Sequence, residues 1–190
     1  MEKLKGQLVL DLMEGEISEE TFVSRFGADP RVSPDVVHEE LHQALVEKSE
    51  LGVECALILG FIFGLSPSWA PILCLLLEED WHFSHEDIAD ALQNIRPSSA
   101  VDSLYRAALK KHDYLAYDES SALAVKCIWA LHDIGTEEAI AKLKSLLEVE
   151  SETIRENARH RLSDLSAKRP GEPEPSYRRA RNKLLRPDGR

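Results

Sequence analysis

The chain has 190 residues, of which 43% are hydrophobic and 30% charged, and this balance excludes a disordered chain and a membrane protein. Residues 168–190 carry eight basic and three acidic side chains, a net charge of +5, which leaves 15 basic and 31 acidic side chains, a net charge of -16, in residues 1–167. Because residues 1–167 are strongly acidic, they repel the phosphate backbones of nucleic acids and attract basic surfaces. We therefore expect a basic protein as partner rather than nucleic acid, although the charge also fits solubility alone.

The N-terminus and the cysteines indicate the compartment. The first ten residues lack the apolar run and the small-residue cleavage site of a signal peptide. The most apolar stretch, residues 55–77, is interrupted by glycine, serine and proline, so it predicts two buried helices rather than a membrane span. Cys55, Cys74 and Cys127 lie among aliphatic residues without C-x-x-C spacing, which is typical of reduced core cysteines. We expect a cytoplasmic protein with no membrane contact, cofactor or metal.

Helical periodicity of apolar residues runs through nearly the whole chain, and no alternating strand pattern accompanies it, so the sequence predicts an all-α fold. Helix ends and starts are marked by glycine and by serine, aspartate or proline. In chain order these markers are Gly15, Gly27 with Pro30, Ser33-Pro34, Ser66-Pro67, Ser84, Pro97, Asp118 and Gly135. They delimit helices of about 9 to 17 residues, which suit helical hairpins better than a four-helix bundle.

An apolar pattern at relative positions 0, 4, 8 and 11 recurs four times along the chain. Its copies are Leu51-Cys55-Leu59-Ile62, Ser84-Ile88-Leu92-Ile95, Leu123-Cys127-Leu131-Ile134 and Ile154-Ala158-Leu162-Leu165, with Ser84 as the exception. The helices between copies share a second pattern, in residues 97–104 and 136–143. Each repeat is thus two helices, and such a hairpin buries its apolar stripe only by stacking on its neighbours. The pattern predicts a solenoid.

The third copy and the helix after it carry a family resemblance. Residues 125–140, VKCIWALHDIGTEEAI, resemble the HEAT-like repeats of bacterial proteins, in which a helix ending in Ala-Leu-x-x-Ile-Gly precedes a helix with Ala-Ile. The resemblance extends over about residues 35–167 and implies an α-solenoid of stacked HEAT-like helical hairpins. The family's Asp-x-x-x-Val-Arg ladder is matched only around Arg155, so we expect the stack to rely on apolar packing.

Three domains follow from these patterns. We predict an N-terminal helical cap in residues 1–32, a HEAT-like repeat domain in residues 33–167 and a basic, proline-containing flexible tail in residues 168–190. The tail either stays disordered or forms a short helix on an acidic surface. The sequence predicts no oligomeric state.

A second resemblance concerns function. Residues 12–22, LMEGEISEETF, are similar to the opening of many small bacterial immunity proteins of polymorphic or colicin-type toxin systems. The same residues also fit a helix, a glycine stop and a serine N-cap formed for structural reasons alone. With the acidic body, the resemblance implies an immunity protein that neutralises a basic toxin domain. The alternative is a general HEAT-repeat adaptor or scaffold.

The loops that join the two helices of each hairpin should lie on one edge of the stack, and they are rich in carboxylates and rings. We call this edge the acidic-aromatic ridge. Its candidate protein-binding residues are Glu78, Glu79, Asp80, Trp81, His82, Phe83, His85, Asp113, Tyr114, Tyr117, Asp118 and Glu119. Aromatic anchors among carboxylates suit a hot spot for a basic partner. Alternatively, these residues cap helices and fill grooves, and the concave helices form the interface.

One motif points to an enzyme. Residues 38–42 match H-E-x-x-H, which places His38 and His42 on one helix face with Glu39 as general base. A zincin also needs a third ligand and a sheet beside its cleft, which an all-helical chain lacks. The pairs Glu39/His42 and Glu79/His82 have the spacing of di-iron sites, but those need four long helices. We expect no catalysis, and a metal-dependent hydrolase is the less favoured alternative.

Overall fold

A computed structural model describes residues 3–115 and 121–167. Within these ranges it contains ten α-helices and no strand, so the all-α prediction is confirmed, and the helices are consistent with an α-helical repeat-like fold. In chain order the helices are α1 (Lys3–Met13), α2 (Glu19–Phe26), α3 (Asp35–Glu47), α4 (Glu50–Phe63), α5 (Ala70–Glu78), α6 (His85–Ile95), α7 (Val101–Leu109), α8 (Ala122–Ile134), α9 (Glu137–Ser145) and α10 (Glu152–Ala167). The candidates Tyr117, Asp118 and Glu119, and the tail, lie outside the described residues.

The described residues divide into two compact units between Ile72 and Leu73. In the first unit, α1 packs against α2 and α4, and α3 packs against α4. The fully buried ring of Phe22 stacks on Phe26 and Phe63, with ring centroids 4.8 and 5.5 Å apart. The predicted division at residues 32 and 33 stays a prediction.

In the second unit, the helices from α7 to α10 pack on their neighbours along the chain, and alternate helices from α6 onwards also pack together. The pairs α6–α8, α8–α10 and α7–α9 are in contact, as are α7–α8, α8–α9 and α9–α10. Leu92 and Leu131, at the same position of the apolar pattern, are both fully buried, as is Leu59 in the first unit. The pattern fades at its ends, because Leu162 is only half-buried and Leu51 is 42% exposed.

Several helix ends lie where the sequence predicts them. Ser18 Oγ accepts the Thr21 N–H at the start of α2, and Gly27 and Gly135 end α2 and α8 in the left-handed conformation that favours glycine. Ser84 precedes α6 but makes no side-chain cap. Its N–H instead donates to His82 Nδ1, which makes Ser84 part of the site described below.

Ion pairs join alternate helices of the second unit. Glu78 of α5 pairs with Arg106 of α7, and Asp102 of α7 lies 2.6 Å from Lys142 of α9. Lys126 of α8 reaches Asp90 and Glu86 of α6, at 2.8 and 3.4 Å. The side chains of these pairs are partly exposed, so each pair contributes little to stability, and the expectation that the stack relies on apolar packing stays a prediction.

Candidate protein-binding site

The second unit brings the two described halves of the acidic-aromatic ridge together. The first half, residues 78–85, runs from the last residue of α5 to the first of α6, and the second half, residues 110–115, follows α7. The Phe83 and Tyr114 rings lie 4.9 Å apart, and Lys110 Nζ donates to the Glu78 carbonyl at 2.7 Å. Residues about 30 positions apart thus form one surface, as the repeat pattern predicts.

Three buried histidines form the centre of this site, and we call them the imidazole column. The His82 and His85 rings stack with centroids 4.3 Å apart, and the His112 ring lies 4.0 Å from that of His85. His82 and His85 are fully buried and His112 is 6% exposed. The sequence interpretation placed His82 and His85 on the binding surface, but the structure places their rings beneath it.

Hydrogen bonds hold two of the imidazoles neutral. The Ser84 N–H donates to His82 Nδ1 at 3.2 Å, so His82 Nε2 carries the proton and donates to the Leu76 carbonyl at 2.8 Å. His85 Nε2 donates to the Glu79 carbonyl at 2.7 Å, because a carbonyl oxygen only accepts. With a neutral ring, His85 Nδ1 then accepts the Tyr114 hydroxyl at 2.8 Å.

The third imidazole, His112, has a less complete set of partners. Its Nδ1 lies 3.4 Å from Asp80 Oδ1, and its Nε2 is buried without a hydrogen-bond partner among the described residues. Burial lowers the pKa of His85 to about 4, and burial together with the charge of Lys110 lowers the pKa of His112. Both rings are therefore neutral at pH 7.

The first three carboxylates of the ridge bind side chains of their own unit. Glu78 pairs with Arg106 and accepts the Ser103 hydroxyl at 2.9 Å, and the Arg106 hydrogen bond lowers the pKa of Glu78. Glu79 Oε2 accepts Trp81 Nε1 at 2.7 Å. Asp80 lies 2.6 Å from Lys110 Nζ, whose hydrogen bond lowers the pKa of Asp80. These groups therefore hold the ridge together.

The outer surface of the ridge carries carboxylates as well as rings, since Glu78 and Asp80 are exposed there although they bind side chains of the unit. Phe83 is 56% exposed, Trp81 and Tyr114 are half-buried, and Asp113 is exposed. Sequence reasoning missed the partners beneath this surface, which are Arg106, Lys110 and His112. The sequence did contain a signal for His112: the second half of the ridge has a histidine at this position, and the first half has two, His82 and His85.

The H-E-x-x-H residues lie on α3 in the first unit. His42 and Glu39 are exposed and His38 is half-buried, whereas Glu40 is nearly buried and pairs with Lys5 Nζ at 2.9 Å. The second proposed di-iron pair is engaged elsewhere, since Glu79 binds Trp81 and both nitrogens of His82 bind backbone. Across residues 3–115 and 121–167, no group of three or more His, Cys, Asp or Glu side chains is arranged to hold a metal ion.

Comparisons of the chain with protein-family models, with curated proteins and with solved structures gave no match. Among the helices that the structure describes, none combines the length and the apolar character that a membrane crossing requires.

Proposed function

We propose that this chain is a non-enzymatic protein-binding module built as an α-solenoid of HEAT-like hairpins, and that it binds a basic protein surface through the acidic-aromatic ridge. The observation that carries the proposal is the exposed ring of Phe83, which packs on Tyr114 above a column of buried imidazoles. The packing of α6 on α8, α8 on α10 and α7 on α9 supports the solenoid, because stacked hairpins place alternate helices side by side.

The rigidity of the ridge favours binding. Phe83 stands between His82 and Ser84, two residues joined by a hydrogen bond, and its ring contacts a tyrosine whose hydroxyl is bonded to His85. A ring held in this way loses little conformational entropy when a partner covers it. Fixed aromatic rings of this kind are typical of interface hot spots.

We further propose that the partner is a toxin domain and that the chain is its immunity protein. The support is the net charge of -16 over residues 1–167 together with the immunity-like residues 12–22. Many toxin domains that act on nucleic acids are basic, and an acidic antidote is attracted to such a surface. A general adaptor is the alternative, and rescue of growth by co-expression with a toxin encoded beside this chain separates the two.

A metal-dependent hydrolase would need zinc at His38 and His42. Elemental analysis of protein purified without chelator or histidine tag tests this directly. One zinc per chain, lost in His38→Ala, would support the hydrolase and overturn the non-enzymatic proposal.

The ridge itself is tested by comparing Phe83→Ala with Val46→Ala once a partner is captured. Val46, on α3 of the first unit, is 68% exposed against 56% for Phe83, so it is an exposed apolar control that is not part of the ridge. We expect Phe83→Ala to cost about 2 kcal/mol or more of binding free energy, roughly a 30-fold rise in Kd. Val46→Ala should leave Kd unchanged, and neither variant should alter Tm because both side chains are more than half exposed.

Two outcomes would count against the ridge. Full binding by Phe83→Ala would exclude the exposed ring as an anchor. An equal loss in both variants would indicate a diffuse apolar effect instead. In either case the interface would be sought on the concave helices, as the alternative interpretation of the sequence predicts.

A further inference from the structure

The imidazole column joins two segments that are far apart in sequence. His82 and His85 bind backbone atoms within six residues of themselves, namely the Leu76 and Glu79 carbonyls. These two rings therefore belong to the segment that connects α5 to α6. His112 and Tyr114 come from the segment after α7, and they reach His85 through a ring contact at 4.0 Å and a hydrogen bond at 2.8 Å.

The hydrogen bonds and ring contacts of the imidazole column suit neutral imidazoles only. Protonation of His82 at Nδ1 would direct a new N–H at the Ser84 N–H, which now donates to that atom. Protonation of His112 would leave a buried, charged nitrogen without an acceptor among the described residues. A charge on either of two rings 4.0 to 4.3 Å from His85 also repels a charge on His85 itself.

We propose that the imidazole column is a proton-operated clasp: when its rings take up protons, residues 112–115 detach from the connection between α5 and α6, and the ridge loses Tyr114 from beneath Phe83. The clasp regulates the surface assigned under the proposed function, so its effect on binding rests on that proposal. The opening itself is a property of the free protein.

The charged groups that the described residues place around the column do not cancel this effect. Among residues 3–115 and 121–167 they are Asp80 from the α5–α6 connection and Lys110 and Asp113 from the segment after α7, and Glu86 and Asp87 follow His85 in the first turn of α6. Asp80 favours protonated His112, but it is 74% exposed and already paired with Lys110. Solvent therefore screens its attraction, whereas the repulsion between rings acts in a buried space.

The sign of the pH dependence follows from where the protons bind. His85 has a pKa of about 4 in the closed column and the ordinary 6.5 when exposed, so the open form binds more protons between these values. The closed form is thus fully favoured above about pH 6.5 and loses its advantage as the pH falls towards about 4. Within this window each unit of pH lowers the closed-to-open ratio roughly tenfold for each histidine of this kind.

Lys110 limits how far the segment moves. Its Nζ is held by the Glu78 carbonyl and by Asp80, whose pKa is lowered by this contact. Asp80 therefore stays charged while the histidines titrate, and the start of the segment remains attached. The expected change is a local opening that begins after Lys110.

The clasp is tested by nuclear magnetic resonance on the isotope-labelled full chain, titrated from about pH 7.5 to about pH 4.5. The readouts are the histidine ring signals, the nuclear Overhauser contact between Phe83 and Tyr114, and the amide signals of α8 as a monitor of global folding. We expect His85 and His112 to stay neutral in the upper part of this range. At lower pH, the chemical-shift effects of ring stacking and the Phe83–Tyr114 contact should disappear together. The amide signals of α8 should not change.

Two variants of the column should shift the opening in opposite directions. His112→Phe keeps a ring in the column and removes one titrating group, so opening should move to lower pH. Tyr114→Phe removes the hydroxyl bonded to His85, so opening should move to higher pH. His160→Gln, which removes an exposed histidine of the same unit, should leave the midpoint at the wild-type value.

Three results would overturn the clasp: a Phe83–Tyr114 contact that persists to the lowest pH, loss of the α8 signals at the same midpoint, or a midpoint that neither column variant moves. The titration needs no partner. Failure to bind any basic protein would overturn the proposed function but not the clasp. A column that stays closed at low pH would overturn the clasp but not the proposed function.

Discussion

Gly60 shows how one residue controls the packing of the first unit. It lies in the last turn of α4 and faces Trp69, whose ring is 1% exposed. A Cβ atom at Gly60 would lie 2.8 Å from Trp69 Cζ3 and 2.9 Å from Leu65 Cδ2, closer than carbon atoms approach in folded proteins. Glycine is needed here for space, since its backbone is helical.

We therefore predict that Gly60→Ala destabilises the protein. The gain in helix propensity, about 1 kcal/mol, is smaller than the overpacking penalty of about 1 to 3 kcal/mol expected in a filled core. Gly6→Ala is the matched control, because the tightest contact of its new Cβ would be the flexible end of Leu51, at 3.3 Å, while Cys55 Sγ would lie at an ordinary 4.0 Å. Urea unfolding should show a lower free energy for Gly60→Ala and no loss for Gly6→Ala. Equal stability of the two variants would contradict the packing argument.

At the scale of helices, the second unit combines buried apolar contacts with exposed ion pairs, and the two contribute very differently. Leu131 is fully buried at the third position of the apolar pattern. Asp102 and Lys142 join α7 to α9 at the surface, where water and salt screen their attraction.

We predict that Leu131→Ala lowers the free energy of unfolding by about 2 to 5 kcal/mol, the usual cost of truncating a buried leucine. Leu92→Ala should behave similarly because it occupies the same pattern position and is equally buried. Leu162→Ala should cost less, since Leu162 is half-buried. Asp102→Asn should leave the melting temperature nearly unchanged. An unchanged melt for both Leu92→Ala and Leu131→Ala would remove the basis of the repeat alignment.

The elements that sequence reasoning predicts well are those set by local signals. Gly27 and Gly135 end helices because the left-handed conformation is encoded in one residue, and periodic apolar residues predict the buried faces of α6 and α8. Ser84 shows the limit: the same N-cap signal is overridden by His82, whose ring takes the Ser84 N–H. Serine alone could not predict this, because it depends on where the neighbouring imidazole points.

The interior of the ridge depends on non-local contacts, which explains why the sequence did not predict it. Arg106 lies 28 residues from its partner Glu78, and His112 packs on a ring 27 positions earlier in the chain. Composition identified the ridge as acidic and aromatic, but not which carboxylates are paired internally. Neutralising Glu78 or Asp80 would therefore remove contacts within the ridge as well as charge from its surface.

At the scale of the whole molecule, the charge of residues 1–167 and the exposed ring of Phe83 should affect different steps of association. A net charge of -16 acts at long range and steers a basic partner before contact. Phe83 acts only after contact, when its ring is covered. Rates of association and dissociation thus separate the two contributions.

We predict that the association rate constant with a basic partner falls as salt rises, whereas the dissociation rate constant changes little. Asp113→Asn removes an exposed carboxylate on the ridge, so it should slow association and reduce the salt dependence. Phe83→Ala should mainly accelerate dissociation, because a buried ring stabilises the formed complex. Stopped-flow or surface-based kinetics at several salt concentrations measure both constants.

Glu156→Gln is the control for charge alone. Glu156 is exposed on α10 in the same unit, away from the ridge, and the substitution removes the same single negative charge as Asp113→Asn. If the ridge meets the partner, Asp113→Asn should slow association more than Glu156→Gln, because Coulomb attraction falls with distance and is screened beyond about 8 to 10 Å at physiological salt. Equal slowing by both variants would mean that net charge attracts the partner without orienting it, and the contact surface would then lie elsewhere than on the ridge.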